Sequence, residues 1–498
     1  MRRINHWIDG RATESAAERW GDIFDPATGD IQSQVPFASS SEIESAITSA
    51  RDASSLWATS SLSTRTDVMF AFRHLVNERR DELAEIITSE HGKVHGDALG
   101  EISRGLENIE FACGLGSHLK GGFSQQVSGG VDVHSLRQPV GVVAGITPFN
   151  FPVMVPLWMT ANALACGNAM ILKPSEKDPS ASMFLAGLLS EAGLPAGVFT
   201  VLHGDAEAVG ALLVDPRVDA VSFVGSTPIA QSIYTRGTEV GKRVQALGGA
   251  KNHMVVLPDA DLGVAADAAV SAAYGSAGER CMAVSVIVAV GEIADPLVEA
   301  IASRLDDLVI GPGSDPASEM GPLITQVHRD KVASYVAGAA DEGASVVVDG
   351  RTKTWSGKAA GGFFLGASLI DHVKPGMKVY DDEIFGPVLS VVRVPSYADA
   401  RDLVNANQYG NGVAIFTRDG GAARQFSFEV TCGMVGVNVP IPVPVASFSF
   451  GGWKDSLFGD AHMYGPSGID FYTRAKVVTT RWPDPATSAV DLGFPKTR

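Results

Sequence analysis

Apolar and polar positions along the chain fall into alternating helix-like and strand-like stretches. Ser41 to Leu56 and Ser63 to His91 read as helices, the first opening with a serine cap ahead of Glu42 and Glu44. From residue 140 the stretches shorten and alternate. Val140 to Ile146, Ala169 to Leu172, Val198 to Leu202 and Ala220 to Val224 are short apolar strand candidates. Between and after them lie the helical stretches Asn162 to Cys166, Ser180 to Ala192, Ala206 to Val214 and Pro228 onward. Strand and helix joined by short connections predict a parallel sheet covered on both faces, an architecture suited to nucleotides.

The alternation then repeats with other lengths. Val255 to Leu257, Ala283 to Val290, Ser345 to Val348 and Leu389 to Val394 are strand candidates, and Gly263 to Tyr274 and Thr325 to Glu342 read as helices among them. This predicts a second α/β domain. Val131 to Leu136 alternates like an exposed hairpin arm, and Ala475 to Arg481 is also strand-like; extended arms of this kind commonly pair with a neighbouring subunit. Two uncharged stretches, 138–172 and 430–453, are long enough to be weighed as membrane spans. Pro148, Pro152 and Pro156 in one, and Pro440, Pro442 and Pro444 in the other, argue instead for buried segments of a soluble protein.

The 498 residues suffice for about three domain-sized units. Asp and Glu number 56 against 39 Lys and Arg, a formal charge of −17, which repels phosphate backbones and anionic lipid; no basic patch offsets it. Cys113, Cys166, Cys281 and Cys432 are too few and too scattered for a disulfide framework, so a reducing, cytoplasmic compartment is expected. The polar start, with Asp9, Glu14 and Glu18, does not read as a targeting segment.

Candidate chemistry is dispersed. Gly278-Glu279-Arg280-Cys281-Met282 puts a cysteine in a glycine-flanked turn before a strand, with Arg280 beside it to favour the thiolate; a buried structural cysteine is the competing reading. Val221 to Ala230 runs strand, glycine turn, helix. Its helix start could hold a phosphate, although only Gly225 fits the dinucleotide fingerprint and an ordinary turn competes. Lys173-Pro174-Ser175-Glu176 sets a cation and a carboxylate at a strand's carboxyl end, where a carboxylate could accept ribose hydroxyls and disfavour a 2′-phosphate; a solvated loop competes. His91 and His95 are four apart, but Gly92 fills the place of a zincin glutamate. Both read as helix-end histidines and no metal is expected.

Together these fragments resemble the aldehyde dehydrogenase superfamily over nearly the whole chain. Pro148-Phe149-Asn150-Phe151-Pro152 is similar to its oxyanion segment, Lys173 to Glu176 to its ribose-binding step, and Phe223 to Thr227 to its phosphate turn. Gly278 to Cys281 resembles its nucleophile loop and Glu383-Ile384-Phe385-Gly386-Pro387 its second glutamate motif. The resemblance implies a Rossmann-type NAD domain (1–121 and 143–248), a second α/β catalytic domain (249–466) and a β-arm for oligomerisation (122–142 and 467–498). It implies Cys281 and Asn150 as catalytic residues. Phe149, Lys173, Glu176, Lys177, Gly225, Ser226 and Glu383 are the implied cofactor-binding residues.

One departure narrows the resemblance. Hydrolytic members carry Glu-Leu-Gly-Gly, whose glutamate activates water; here the run is Ala246-Leu247-Gly248-Gly249, followed by Ala250-Lys251-Asn252-His253. Alanine cannot act as base, a loss of ~10²–10⁴-fold for water. A thiol acceptor suffers less, because thiols ionise near pH ~8.5. The run, with Gly-Glu-Arg-Cys-Met-Ala and Thr-Pro-Phe-Asn-Phe-Pro, resembles the CoA-acylating methylmalonate-semialdehyde dehydrogenases. That implies NAD-dependent oxidation of methylmalonate or malonate semialdehyde, loss of the carboxylate, and release of propionyl-CoA or acetyl-CoA. It also implies Arg104 and Arg280 as carboxylate ligands and a homotetramer. The alternative is a hydrolytic, NAD-dependent enzyme acting on a small carboxylated semialdehyde with a borrowed base.

Overall fold

The computed structural model describes residues 1–483, 485–486 and 490. Among the described residues, two large sheets organise the chain. The first has eight strands in the order Leu457–Phe458, Arg243–Leu247, Ala220–Val224, Val142–Ile146, Ala169–Lys173, Phe199–Val201, His6–Ile8 and Arg11–Thr13. Its five central strands are parallel, and antiparallel pieces close both edges. From Val142–Ile146 the chain winds one way through Ala169–Lys173 and Phe199–Val201. It then returns to the other side through Ala220–Val224 and Arg243–Leu247. Strand order therefore reverses between Val142–Ile146 and Ala220–Val224, and a crevice opens at their carboxyl ends.

The second sheet runs Ser345–Val348, Ser368–Asp371, Val388–Val394, Val284–Val290, Asn252–Val256, Gly412–Phe416 and Met434–Val437, parallel except at Ser345–Val348. Its central strands Val284–Val290 and Asn252–Val256 are rich in valine and almost wholly buried, as packing on both faces demands, while the edge strands Ser345–Val348 and Met434–Val437 are partly exposed. The chain passes from one sheet to the other through residues 248–251. The predicted 249–466 unit is not wholly of the second sheet, because Leu457–Phe458 returns to pair with Arg243–Leu247.

A third sheet is the predicted arm. Val131–Pro139 lies between Phe123–Ser128 and Thr473–Arg481, pairing with the latter over its full length. Residues 467–472 belong to the helix Gly465–Tyr472 and not to the arm. The remainder of the predicted arm beyond 483 falls mostly outside the described residues.

Three expectations are corrected. The helix expected from Ser41 begins at Ser40, and its cap is Ser39, whose hydroxyl forms a reciprocal capping box with Glu42. The single helix from Ser63 to His91 is two, Leu62–Glu78 and Arg80–His91, parted at Arg79. The short helix at Asn162 to Cys166 is the end of a longer one, Met154–Ala165, every residue of which is buried. Pro156 does not break it, since the amides of a helix's first turn have no intrahelical partner to lose. Glu101, from the helix His95–Cys113, accepts the Val153 and Met154 N–H groups at 2.8 and 3.0 Å. No helix among the described residues is long and apolar enough to cross a membrane.

Candidate active site

Both walls of the crevice are loops named from sequence. Pro148-Phe149-Asn150 follows the strand Val142–Ile146, and Gly225-Ser226 follows Ala220–Val224. Two cavities share Pro148, Phe149, Val224, Gly225 and Ser226. One runs outward over Lys173, Glu176 and Lys177; the other runs inward past Asn150 and Glu383 to Cys281. All seven predicted cofactor residues thus line one continuous cleft. Its features suit a dinucleotide. No side chain caps the helix Thr227–Glu239, so its first-turn amides stay available to a phosphate. Gly225 keeps the floor low, since a Cβ there would lie 2.5 Å from the Phe223 ring. Lys177 Nζ lies 4.5 Å from the centre of the Phe149 ring. Glu176 receives Lys173 Nζ at 3.3 Å; burial pushes its carboxyl up, but Lys173, its own backbone amide and Lys177 together turn the net direction down.

The linker between the two sheets ties the inner end of the cleft together. The Ala250 N–H donates to Glu383 Oε1 at 2.9 Å, and Lys251 Nζ donates to the carbonyls of Asp382 and Val379 at 2.7 and 2.9 Å. Asn252 Nδ2 donates to the carbonyls of Cys281 and Ala283, both at 2.9 Å. Three consecutive residues therefore fix the Glu383 loop and the Cys281 loop to one another. Burial raises the Glu383 carboxyl to about 7 and lowers Lys251 to about 8.

Cys281 precedes the strand Val284–Val290 and borders both the cofactor cleft and a separate cavity of about 500 Å³. The chain reaches it through Ser276, Ala277 and Gly278, all with positive φ (53°, 52° and 73°). Two side-chain-bearing residues in that region mark a strained loop. Only glycine fits at 278, where a Cβ would meet the Gly386 carbonyl oxygen at 2.2 Å. Burial first, and the Glu383 carboxylate second, push the Cys281 thiol up to about 12; the amides of Cys281 and Met282 and the Arg280 guanidinium oppose this without overcoming it. Arg280 thus favours the thiolate, as expected from the sequence, but burial and Glu383 outweigh it.

Asn150 is buried at 3% exposure, and its side-chain amide has no hydrogen-bond partner among the described residues. Its carbonyl accepts Lys93 Nζ at 2.8 Å. Lys93 in turn pairs with Glu101 at 2.7 Å and lies 4.4 Å from the centre of the Phe151 ring. Lys93 and Glu101 were not singled out from the sequence. Glu101 and Arg104 do stand three apart on one helix face, which was the available signal.

The cavity on the far side of Cys281 contains both predicted arginines, with Asp97, Phe151, Trp158 and Val443 among its walls. Arg104 Nη1 bonds both oxygens of Glu107 at 2.7 and 2.8 Å, and its Nη2 reaches the Pro444 carbonyl at 2.7 Å. Arg280 Nη2 bonds both oxygens of Asp97 at 2.7 Å. Ala246 borders none of these cavities. It is fully buried in an apolar cluster, on a strand whose register neighbours are Phe223 and Phe458. His91 ends one helix and His95 begins the next; no cluster of three or more metal-ligating side chains occurs among the described residues.

Comparison with known proteins gives the family. Over 99% of its length, and all of the relative's, the chain is 52% identical to a malonate-semialdehyde dehydrogenase of Pseudomonas aeruginosa. It is 44% identical to malonate-semialdehyde dehydrogenase 2 of Oceanobacillus iheyensis, over 97% of this chain and 99% of that one. The crystal structure of methylmalonate-semialdehyde dehydrogenase from Oceanimonas doudoroffii superposes with a TM-score of 0.96 at 53% identity, covering 98% of this chain and 99% of that one. A Sinorhizobium meliloti structure described as a methylmalonate-semialdehyde dehydrogenase complexed with NAD gives 0.96 at 49% identity, with the same coverage. Residues 12–478 match the aldehyde dehydrogenase family, and the chain belongs to it.

Proposed function

We propose that this enzyme oxidises malonate semialdehyde and methylmalonate semialdehyde with NAD, removes the substrate carboxylate, and delivers acetyl-CoA or propionyl-CoA. The observation that carries this reading is the position of Cys281, which borders both a dinucleotide-shaped cleft and a cavity containing two arginines. The names of the similar proteins support the substrate class, and the NAD in the Sinorhizobium meliloti structure supports the cofactor.

In this reading Cys281 attacks the aldehyde carbon as thiolate. Asn150 donates its unpartnered amide to the oxygen that becomes negative, a donor pre-set by the Lys93 bond to its carbonyl. Bound NAD supplies a hydride acceptor. Phe149, Lys173, Glu176, Lys177, Gly225 and Ser226 hold the dinucleotide, with Glu383 at the nicotinamide-side ribose. The product on Cys281 is a thioester whose carboxylate is β to the carbonyl. Breaking the bond to that carboxylate expels CO2 and leaves its electron pair in an enolate that Asn150 stabilises; a proton from water completes the acyl group. Coenzyme A then takes the acyl group from Cys281. Ala246 offers no base to activate water in its place.

The exposed apolar side chains of the arm, Phe123, Val477 and Trp482, support a homotetramer in which the arms lie between subunits. The four unpaired cysteines support a cytoplasmic setting. The first sheet, the second sheet and the arm correspond to cofactor, catalytic and oligomerisation units. Product analysis with each semialdehyde, with and without coenzyme A, tests the reading: acyl-CoA should form, and full turnover to free acid without coenzyme A overturns it. Cys281→Ala should abolish NADH formation while NAD still binds; appreciable turnover would move the nucleophile elsewhere.

A further inference from the structure

Three cations border the cavity beyond Cys281, and one helix supplies an acid to each. From His95–Cys113, Asp97 pairs with Arg280, Glu101 with Lys93 and Glu107 with Arg104. A cavity that receives a carboxylate is thereby charge-balanced before its ligand arrives.

The three pairs differ in what they leave open. Lys93 is buried and spent on Glu101 and Asn150. Both terminal nitrogens of Arg104 are engaged, by Glu107 and by the Pro444 carbonyl. Arg280 is engaged through Nη2 alone, so that Nε and Nη1 have no hydrogen-bond partner among the described residues. Its guanidinium is also pinned: a Cβ on Gly275 would fall 2.4 Å from Nη1 and 2.6 Å from Cζ. Glycine on one side and Asp97 at one end fix the plane in which the free edge points.

We propose that Asp97 is a specificity-determining, positioning residue, which aims the free edge of Arg280 at the substrate carboxylate and cancels enough of its charge to keep that carboxylate loosely held. The proposal rests on the substrate class given above. Its logic is differential binding. An uncompensated arginine would stabilise the carboxylate most before decarboxylation, when its charge is localised, and would lose that interaction as CO2 forms. A guanidinium already shared with Asp97 orients the carboxylate by hydrogen bonds while raising the barrier to its loss less.

The test uses 3-hydroxypropionate, which has the carboxylate but no aldehyde, as an inhibitor of propanal oxidation by the full-length enzyme. Asp97→Asn keeps an oxygen acceptor for Arg280 and removes the charge. It should tighten inhibition by about tenfold, the scale expected when one charge-assisted hydrogen bond is strengthened. With malonate semialdehyde it should divert product toward malonyl-CoA at the expense of acetyl-CoA. Asp97→Leu, which removes the aim as well as the charge, should weaken inhibition. Unchanged or weakened inhibition in Asp97→Asn overturns the proposal, and a gain in binding cannot arise from misfolding. If the native enzyme oxidises propanal but not malonate semialdehyde, the substrate reading fails by itself, while the inhibitor arm still decides the role of Asp97.

Discussion

Lys93 Nζ lies 2.8 Å from the main-chain oxygen of Asn150 and 2.7 Å from Glu101 Oε2, so one buried ammonium joins the candidate oxyanion donor to the carboxylate that caps the helix Met154–Ala165. Lys93→Met should lower kcat with little change in KM for NAD, because the amide of Asn150 loses its anchor while the dinucleotide cleft is untouched. It should also destabilise the fold by ~3 kcal/mol, since Glu101 is left as an uncompensated buried charge. Steady-state kinetics and urea denaturation check both. A rise in KM for NAD with kcat unchanged would place Lys93 in cofactor binding instead.

Glu176 stands at the outer end of the cleft beside Lys173. Burial raises its carboxyl, but Lys173, its backbone amide and Lys177 together hold it down, so the carboxylate should repel a 2′-phosphate. The kcat/KM for NAD should exceed that for NADP by at least ~10-fold, and Glu176→Gln should narrow the ratio. Equal use of both cofactors by the native enzyme would remove Glu176 from that role.

Arg104 lines the cavity, but both its terminal nitrogens are engaged, by Glu107 and by the Pro444 carbonyl. If it also receives the substrate carboxylate, Arg104→Leu should cost ~2–4 kcal/mol in kcat/KM for malonate semialdehyde and far less for propanal. Equal losses on the two aldehydes would leave Arg104 a structural tie between its helix and the segment near Pro444.

Glu279 is fully buried, and its carboxyl is raised to about 8 by burial; His91 and His328 lie 3.9 and 3.6 Å away, each lowered in turn by burial. The unfolded chain releases this proton near pH ~4.5 and the folded chain only near 8, so between those values the folded state binds more protons and stability falls as pH rises. Glu279→Gln removes that slope. Its stabilisation should grow from pH 5 to pH 8 and reach ~4 kcal/mol, read as the difference in Tm between variant and native enzyme. A difference independent of pH would mean that Glu279 is ionised in the fold.

Much of this molecule was legible in the order of its residues. Alternating apolar runs marked the strands Ala220–Val224 and Ser345–Val348 with their observed limits. Cys281, Gly225 and the Lys173–Glu176 step were recognisable because each sits beside its own strand, whereas Phe149, Asn150, Lys177 and Glu383 were reached only through the family resemblance. Local pattern failed where a distant group changed the local cost. Pro156 looked like a helix breaker until Glu101 supplied an acceptor for the amides ahead of it. Arg280 does favour the Cys281 thiolate, but burial and Glu383 outweigh it, and one of its nitrogens is bound to Asp97, 183 positions away.

The sequence by itself determined two α/β sheets, an extended arm and a cysteine in a glycine turn. These follow from periodicity and residue chemistry, which act over a few neighbours. Only the tertiary structure decided which charges meet. Arg104 and Glu107 meet within one helix turn, but the pairing of Asp97 with Arg280 and of Glu101 with Lys93 depends on helix rotation and on neighbouring loops closing over it. Depth of burial, which pushes Cys281 and Glu383 up together, is likewise a property of the packed sheets and of no single segment.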